Sequence, residues 1–276
     1  MPTAPQPACQ AARRLAAAAL AAAVLSAPPA LAGPADACLP HAMEPVRVAA
    51  VRDARTLELS DGRLVRPAGI ESFALIGAET ERADALLAER LASRLAGKPA
   101  DVHFVSERAD RYGRRAALIA TEAGLVQAEL AAEGVALAFP EGGGAACMPA
   151  ILAAEAAARR QGAGLWSQTA VRAAAPGALS SYLGGYVIFE GKVLSVGNRP
   201  RRTYLNFGRR WSEDVTVVIE ARDRDSFGGE EALEALAGRR VRIRGFLEER
   251  GGPLVTARRT GQIEALEPLN GEGDGT

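Results

Sequence analysis

The sequence predicts an α+β chain made of two small β-rich units, each carrying short helices. Three observations lead there. Strand-like alternation comes in two separate blocks, residues 46–120 and 186–257; runs with helical spacing interrupt both blocks; and an alanine-rich stretch at 169–181, with Pro176, Gly177 and two serines, carries no clear period. A chain of 276 residues has room for two modest cores, although length alone does not choose between one domain and two. The domains read from this pattern are 44–168 and 182–268, with 169–181 as linker and 269–276 as a disordered tail.

In the first unit, alternation begins at Val46-Arg47-Val48, resumes at Thr56-Leu57-Glu58-Leu59, turns through Ser60-Asp61-Gly62 and continues at Leu64-Val65-Arg66, which reads as a hairpin. A helix is expected over 79–95, where Leu87, Leu91 and Leu95 recur every four residues until Gly97 and Pro99 stop it. Strands follow at 102–105 and 116–120, then a short helix over 126–133 ending at Gly134. A third helix, 151–160, starts behind Pro149 and closes at Gly162. In the second unit, strands are expected at 186–196, 203–207, 215–220, 241–246 and 254–257. A short helix at 230–236 precedes the fourth strand, an order that suggests a small, partly open barrel such as an OB-fold.

The first residues read as an export signal spanning 1–32. Arg13 and Arg14 precede an apolar run from Leu15 to Leu25, and the small triplet Ala30-Leu31-Ala32 offers a cleavage site. That run is too short for a bilayer, which takes about 20 apolar residues, and no later segment is long and apolar enough to span. The expected location is therefore periplasmic or secreted. Cys9 would leave with the signal, and Cys38 and Cys147 would remain in an oxidising compartment, where they are expected to pair; two free thiols are the alternative. Cysteine metal ligation is disfavoured, since there is no CxxC and the only histidines are His41 and His103.

Charge excludes one class of partner attraction. Net charge is zero overall, and residues 38–170 hold 15 basic and 17 acidic groups against 15 and 13 in residues 180–268. There is no global basic field to draw in nucleic acid, so any polyanion site must be local.

Local motifs supply candidates. Asp53-Ala54-Arg55-Thr56, then Arg66-Pro67-Ala68-Gly69-Ile70-Glu71-Ser72-Phe73-Ala74, then Asp110-Arg111-Tyr112-Gly113-Arg114 follow one another, and the helix bearing Glu155 runs into Gly164-Leu165-Trp166-Ser167. In order and spacing, residues 46–167 resemble the staphylococcal-nuclease (thermonuclease-like) family, whose elements read D-G-D-T, R followed by G-I-D-x-P-E, and D-x-Y-G-R. The resemblance implies an OB-type five-stranded barrel with three helices, hydrolysis of DNA and RNA phosphodiesters, and a calcium ion. It assigns Arg66 and Arg114 to the phosphate clamp, Glu71 and Asp53 to the metal region, and Tyr112 to the neighbourhood of the phosphate.

The pattern departs at two acids. Arg55 stands where the family has a metal-binding aspartate, putting a positive charge where an oxygen ligand belongs. Ala74 stands where it has the glutamate that handles the attacking water. Glu71 replaces an aspartate, one carbon longer. Glu79 and Glu81 could fold back as a substitute base, or simply favour a helix N-terminus.

The second unit concentrates Arg199, Arg201, Arg202, Arg209 and Arg210 around Tyr204, Phe207 and Trp211. Guanidinium groups that track phosphates and rings that stack bases are what a single-strand-binding surface uses. A solvated arginine loop over a core of Leu205 and Phe207 is the bland alternative. The expectation is a binder of nucleic acid or another phosphate-bearing polyanion with hydrolysis lost or weak. An active calcium-dependent nuclease with rearranged acids and an envelope interaction module are the alternatives.

Overall fold

The computed structural model describes Met1 and residues 36–266. The export signal at 1–32 and the tail at 269–276 lie outside those residues, apart from Met1. Residues 36–266 fall within one compact unit.

The first sheet is a ring. It contains β1 (Glu44–Asp53), β2 (Thr56–Leu59), β3 (Leu64–Pro67), β5 (Pro99–Phe104), β6 (Arg114–Thr121) and the short β7 (Gly124–Leu125) paired to β6, with β4 (Ile70–Glu71) outside it. β1 pairs antiparallel with β5 through residues 44–47 and with β2 through residues 48–53. Irregular register near Val48 and Val51 bends this long strand so that its two halves serve different neighbours. β2–β3 and β5–β6 are antiparallel, and a parallel β3–β6 pairing closes the ring.

Helix α1 (Thr80–Leu95) buries Ala83, Leu87, Leu91 and Leu95, the stripe its four-residue spacing foretold. Around the ring follow α2 (Val126–Ala132), β8 (Leu137–Ala138), which pairs with β4, and α3 (Met148–Gln161). Pro149 sits inside the first turn of α3, so that helix begins three residues before the expected 151.

The second sheet curls strongly into a half-barrel. After β9 (Arg172–Ala173) it comprises β10 (Tyr186–Lys192), β11 (Ser195–Arg199), β12 (Arg202–Asn206), β13 (Thr216–Glu220), β14 (Arg240–Glu249), β15 (Pro253–Ala257) and β16 (Ile263–Ala265), with α4 (Gly229–Glu234) before β14. The pairing order repeats that of the first ring. β11–β12, β12–β13, β15–β14 and β14–β10 are antiparallel, and β13–β15 is parallel. The chain from β10 to β11 plays the part of β1, interrupted at Val193-Leu194. Within 169–181, β9 pairs with β10 and Leu179 is buried in the second core.

Each unit has its own core, around Leu57, Leu91 and Ile119 in the first and Phe189, Val217 and Ile243 in the second. A third cluster takes Phe73, Leu137, Leu165 and Trp166 from the first together with Tyr186 and Ile188 from the second. Beside it lies a buried ion pair. Arg244 on β14 and Glu155 on α3 are both fully buried and bond through two contacts of 2.8 and 3.0 Å. Arg244 also donates to Glu264 at 2.7 Å and to the Ala138 carbonyl at 2.9 Å, while Glu155 accepts the Ala138 N–H at 2.7 Å. Burial alone would raise the Glu155 pKa, but Arg244 overrides it and holds the carboxyl below its usual range.

Cys38 and Cys147 are joined, with a sequence separation of 109 residues. In the chain-entropy model a loop of that size is worth about 4 to 5 kcal/mol. Reduction should therefore lower the denaturant midpoint, with the mass of the oxidised protein rising by two hydrogens; two thiols titrating without reductant would contradict the bridge.

Arg244→Ala should cost about 3 to 5 kcal/mol in urea unfolding, because it strands a buried carboxylate. With its pKa depressed in the folded state, Glu155 contributes stability that is present above the ordinary carboxylate range and is lost as pH falls through the folded value. Arg244→Ala should accordingly flatten the acid limb of a stability–pH curve. An unchanged limb would show that the pair does not govern acid stability.

Candidate functional site

Pairing in the ring puts the two motif arginines side by side. In the parallel β3–β6 ladder Arg66 lies opposite Ala116 and Arg114 opposite Leu64, so the two arginines are diagonal neighbours on one face. The Arg66 guanidinium is half-buried. Burial pushes its pKa down, Glu71 pulls it up, and Arg114 pushes it down again, with Asp110 also within range. Arg66, Arg114, Glu71 and Asp110 therefore share one electrostatic neighbourhood. Arg66 spends one donor, from Nη2 to the Gly142 carbonyl at 2.9 Å.

Asp110 explains the D-x-Y-G-R spacing. Its Oδ1 accepts the N–H groups of Tyr112 and Arg114 at 2.9 and 3.0 Å, which folds the turn, and its Oδ2 receives Arg114 Nε at 2.9 Å and Nη2 at 2.8 Å. Arg114 Nη1 reaches Thr56 Oγ1 at 3.3 Å. Tyr112 is 59% exposed, with the guanidinium groups of Arg111 and Arg114 each 4.8 Å from its ring centroid, which leaves much of the ring open to solvent.

Arg55 is the centre of the acidic side. Its backbone N–H donates to Asp53 Oδ1 at 2.7 Å in the β1–β2 turn. Its guanidinium reaches Glu71 with Nε at 2.7 Å and Asp84 with Nη1 at 2.9 Å. Burial opposes the charge on Arg55, but Asp84 and Glu71 outweigh it and raise its pKa; burial likewise works against Asp84, whose carboxyl is nonetheless held below its usual range by Arg55 and Ser72. Glu71 accepts a further bond from the Ser72 N–H at 2.8 Å.

A calcium ion asks for about six to eight oxygen ligands. At this position the carboxylates of Glu71 and Asp84 already face a guanidinium, and the described residues contain no group of three or more His, Cys, Asp or Glu side chains suited to a metal. Both carboxylates are therefore ion-paired to Arg55. Ala74 lies half-buried in the 3-10 turn Phe73–Ile76, with its N–H toward Ser72 Oγ at 3.3 Å. Glu79 sits at the N-cap of α1 and lines a cavity of about 330 Å³ with Arg82, Gln168 and Arg172; Glu81 is exposed in the first turn. Neither Arg66 nor Arg114 is among the residues lining that cavity.

In the second unit the arginine cluster divides. Arg199 and Arg202 face each other across the tight β11–β12 turn with Arg201 at its tip, and Arg202 bonds Glu220 at 3.1 Å. Arg209, Arg210 and Trp211 belong to the loop between β12 and β13, where Arg210 pairs with Glu213 at 3.0 Å. Buried Asp214 shapes this loop by accepting the Arg210 N–H at 2.8 Å.

Trp211 is 69% exposed, which leaves its ring available to a partner, and its backbone and ring press on Gly251 and Gly252, where a side chain would have no room. Tyr204 lies between the two arginine groups. It shares a groove of about 230 Å³ with Asn206, Trp211, Thr216, Arg250 and Leu254. Phe207 is half-buried and meets Phe189 edge to face in the second core, 5.4 Å between centroids.

Three contributors could not be picked out from the motifs. Asp84 lies on α1, 29 residues from the arginine it binds, and only the helical phase that turns Ala83 and Leu87 inward hints at where it points. The Gly142 carbonyl is backbone, and leaves no mark in sequence beyond the glycine. Arg250 reaches its groove from the β14–β15 turn.

The staphylococcal nuclease homologue family matches residues 82–168, from the first turn of α1 to just past the 3-10 turn Gly164–Ser167. Asp110, Arg114, Glu155 and Trp166 fall within the matched residues; Asp53, Arg55, Arg66 and Glu71 precede them. Among curated proteins none matches the chain. Residues 82–168 are an SNase-like domain, and a second, curled sheet follows it.

Proposed function

We propose that this protein is exported and binds a phosphate-bearing polyanion, nucleic acid foremost, with phosphodiester hydrolysis lost or weak. The observation that carries the reading is Arg55, whose guanidinium bridges Glu71 and Asp84 beside the Arg66–Arg114 pair. Two acidic side chains that could have drawn a metal ion are neutralised by a cation the chain supplies itself. Arg66 keeps most of its donors for a ligand, and arginine forks match phosphate oxygens bidentately. The same site offers no activated nucleophile, since Ala74 has no group to take a proton from water.

The second unit offers a surface of its own, where bases could stack on Trp211 and Tyr204 with Arg199, Arg201, Arg202, Arg209 and Arg210 near the phosphates. Export is supported by the apolar leader and by the Cys38–Cys147 bridge, which suits an oxidising compartment. The reading of an active nuclease draws on one observation, that Glu71 and Asp110 both lie within the field of Arg66.

Purified protein should bind a labelled oligonucleotide equally well with calcium and with chelator, Arg66→Ala should weaken that binding, and cleavage should stay at background. Loss of a positioned base alone lowers rates by roughly 10² to 10⁴. Arg55→Asp combined with Ala74→Glu should bring some calcium-dependent cleavage back. Robust calcium-dependent cleavage by the unaltered protein, abolished by Arg66→Ala, would establish the nuclease instead.

Arg201→Ala combined with Arg202→Ala should weaken single-strand binding and reduce the slope of affinity against salt, since each phosphate contact adds to that slope. Unchanged affinity and slope would mark the β11–β12 turn as a solvated loop.

A further inference from the structure

The segment that holds Arg66 is itself held by the second unit. Residues Pro140–Gly142 form a 3-10 turn after β8. On one side, the Gly142 carbonyl accepts Arg66 Nη2 at 2.9 Å. On the other, the neighbouring Glu141 carboxylate accepts the Gln262 Nε2–H at 2.8 Å and the Tyr186 hydroxyl at 3.1 Å, both from the second sheet region. The Tyr186 ring also packs on Phe139, 5.4 Å between centroids, and the Phe139 N–H donates to the Gly69 carbonyl at 2.8 Å. The turn is thus fixed from both units.

Space at the turn is tight as well. A side-chain carbon on Gly142 would lie 2.8 Å from Phe139 and 3.2 Å from Arg66 Nη1, so the guanidinium packs directly against the backbone. A guanidinium tied at one corner keeps its plane and presents its remaining edge without first losing rotamer freedom, and that is how a fixed donor gains affinity for an oxyanion.

We infer that the second unit is a working part of the first unit's anion site: Tyr186 and Gln262 anchor Glu141, and through the Gly142 carbonyl they set the orientation of Arg66. Glu141, Tyr186 and Gln262 are positioning residues and touch no ligand. The inference rests on the polyanion reading of the Arg66–Arg114 site, and it makes that site incomplete without the second unit.

The test is a double-mutant cycle on the full chain, with a short fluorescein-labelled oligothymidylate as the probe. Tyr186→Phe keeps the buried ring and removes one anchor, so affinity should fall about two- to tenfold, the range for one hydrogen bond. Glu141→Ala should weaken binding further, and Glu141→Gln, which retains an acceptor, should recover much of it. In an Arg66→Ala background none of these changes should have a further effect, a non-additivity that general destabilisation would not produce.

Equal losses with and without Arg66, or wild-type affinity in both Tyr186→Phe and Glu141→Ala while Arg66→Ala binds poorly, would overturn the coupling and leave the anion site standing. Unaltered binding in Arg66→Ala itself would overturn the site and the coupling together.

Discussion

The buried pair of Arg244 and Glu155 is the constraint on which the arrangement depends. Two opposite charges with no exposure to water are tolerable only when nearly every lone pair and proton has a partner. Here the partners come from several places, namely β8 through both polar groups of Ala138, α3 through Arg159, and β16 through Glu264. Shifting either unit would strand a charge. The apolar cluster of Phe73, Trp166, Tyr186 and Ile188 supplies area without direction, and the ion pair supplies direction.

A fixed relation between the units gives the first ring an unusual supporting shell. In a lone barrel the loop after β8 would face water. Here it is bridged to Cys38 at one end, through Cys147, and bonded to Tyr186 and Gln262 in its middle. Between those tethers it offers a backbone carbonyl to an arginine of β3. The acidic side is similarly self-contained, with Arg55 meeting two carboxylates from β4 and α1.

Much of this was legible in the sequence. The four-residue leucine spacing locates α1 and glycines mark the ends of α2 and α3, whereas β6 begins at Arg114, two residues before the expected strand. The disulfide followed from two cysteines and an apolar leader. What stayed hidden was long-range. Nothing near Arg244 in the chain signals that it is buried, because its partner lies 89 residues away and arginine is ordinarily a surface residue. The strand Ser195–Arg199 was also obscured, since its alternation is broken by Gly197 and polar side chains and only its pairing with β12 makes it a strand. The arginines around it therefore read as one loop cluster, whereas β12 parts them into two groups at its opposite ends.

The positions of Tyr186 and Gln262, both far downstream of the first ring, carry a consequence for the order of synthesis. The first ring holds all its own strands once residue 125 has been made, yet the two side chains that bond Glu141 lie 45 and 121 residues beyond it. A chain emerging from its N-terminus has every strand of the ring in hand well before it has the residues that hold the turn after β8. A chain cut before Gln262 would keep the strands of the ring and lose that side chain's bond to Glu141, so the geometry of a turn in the first unit depends on a residue 121 positions further along.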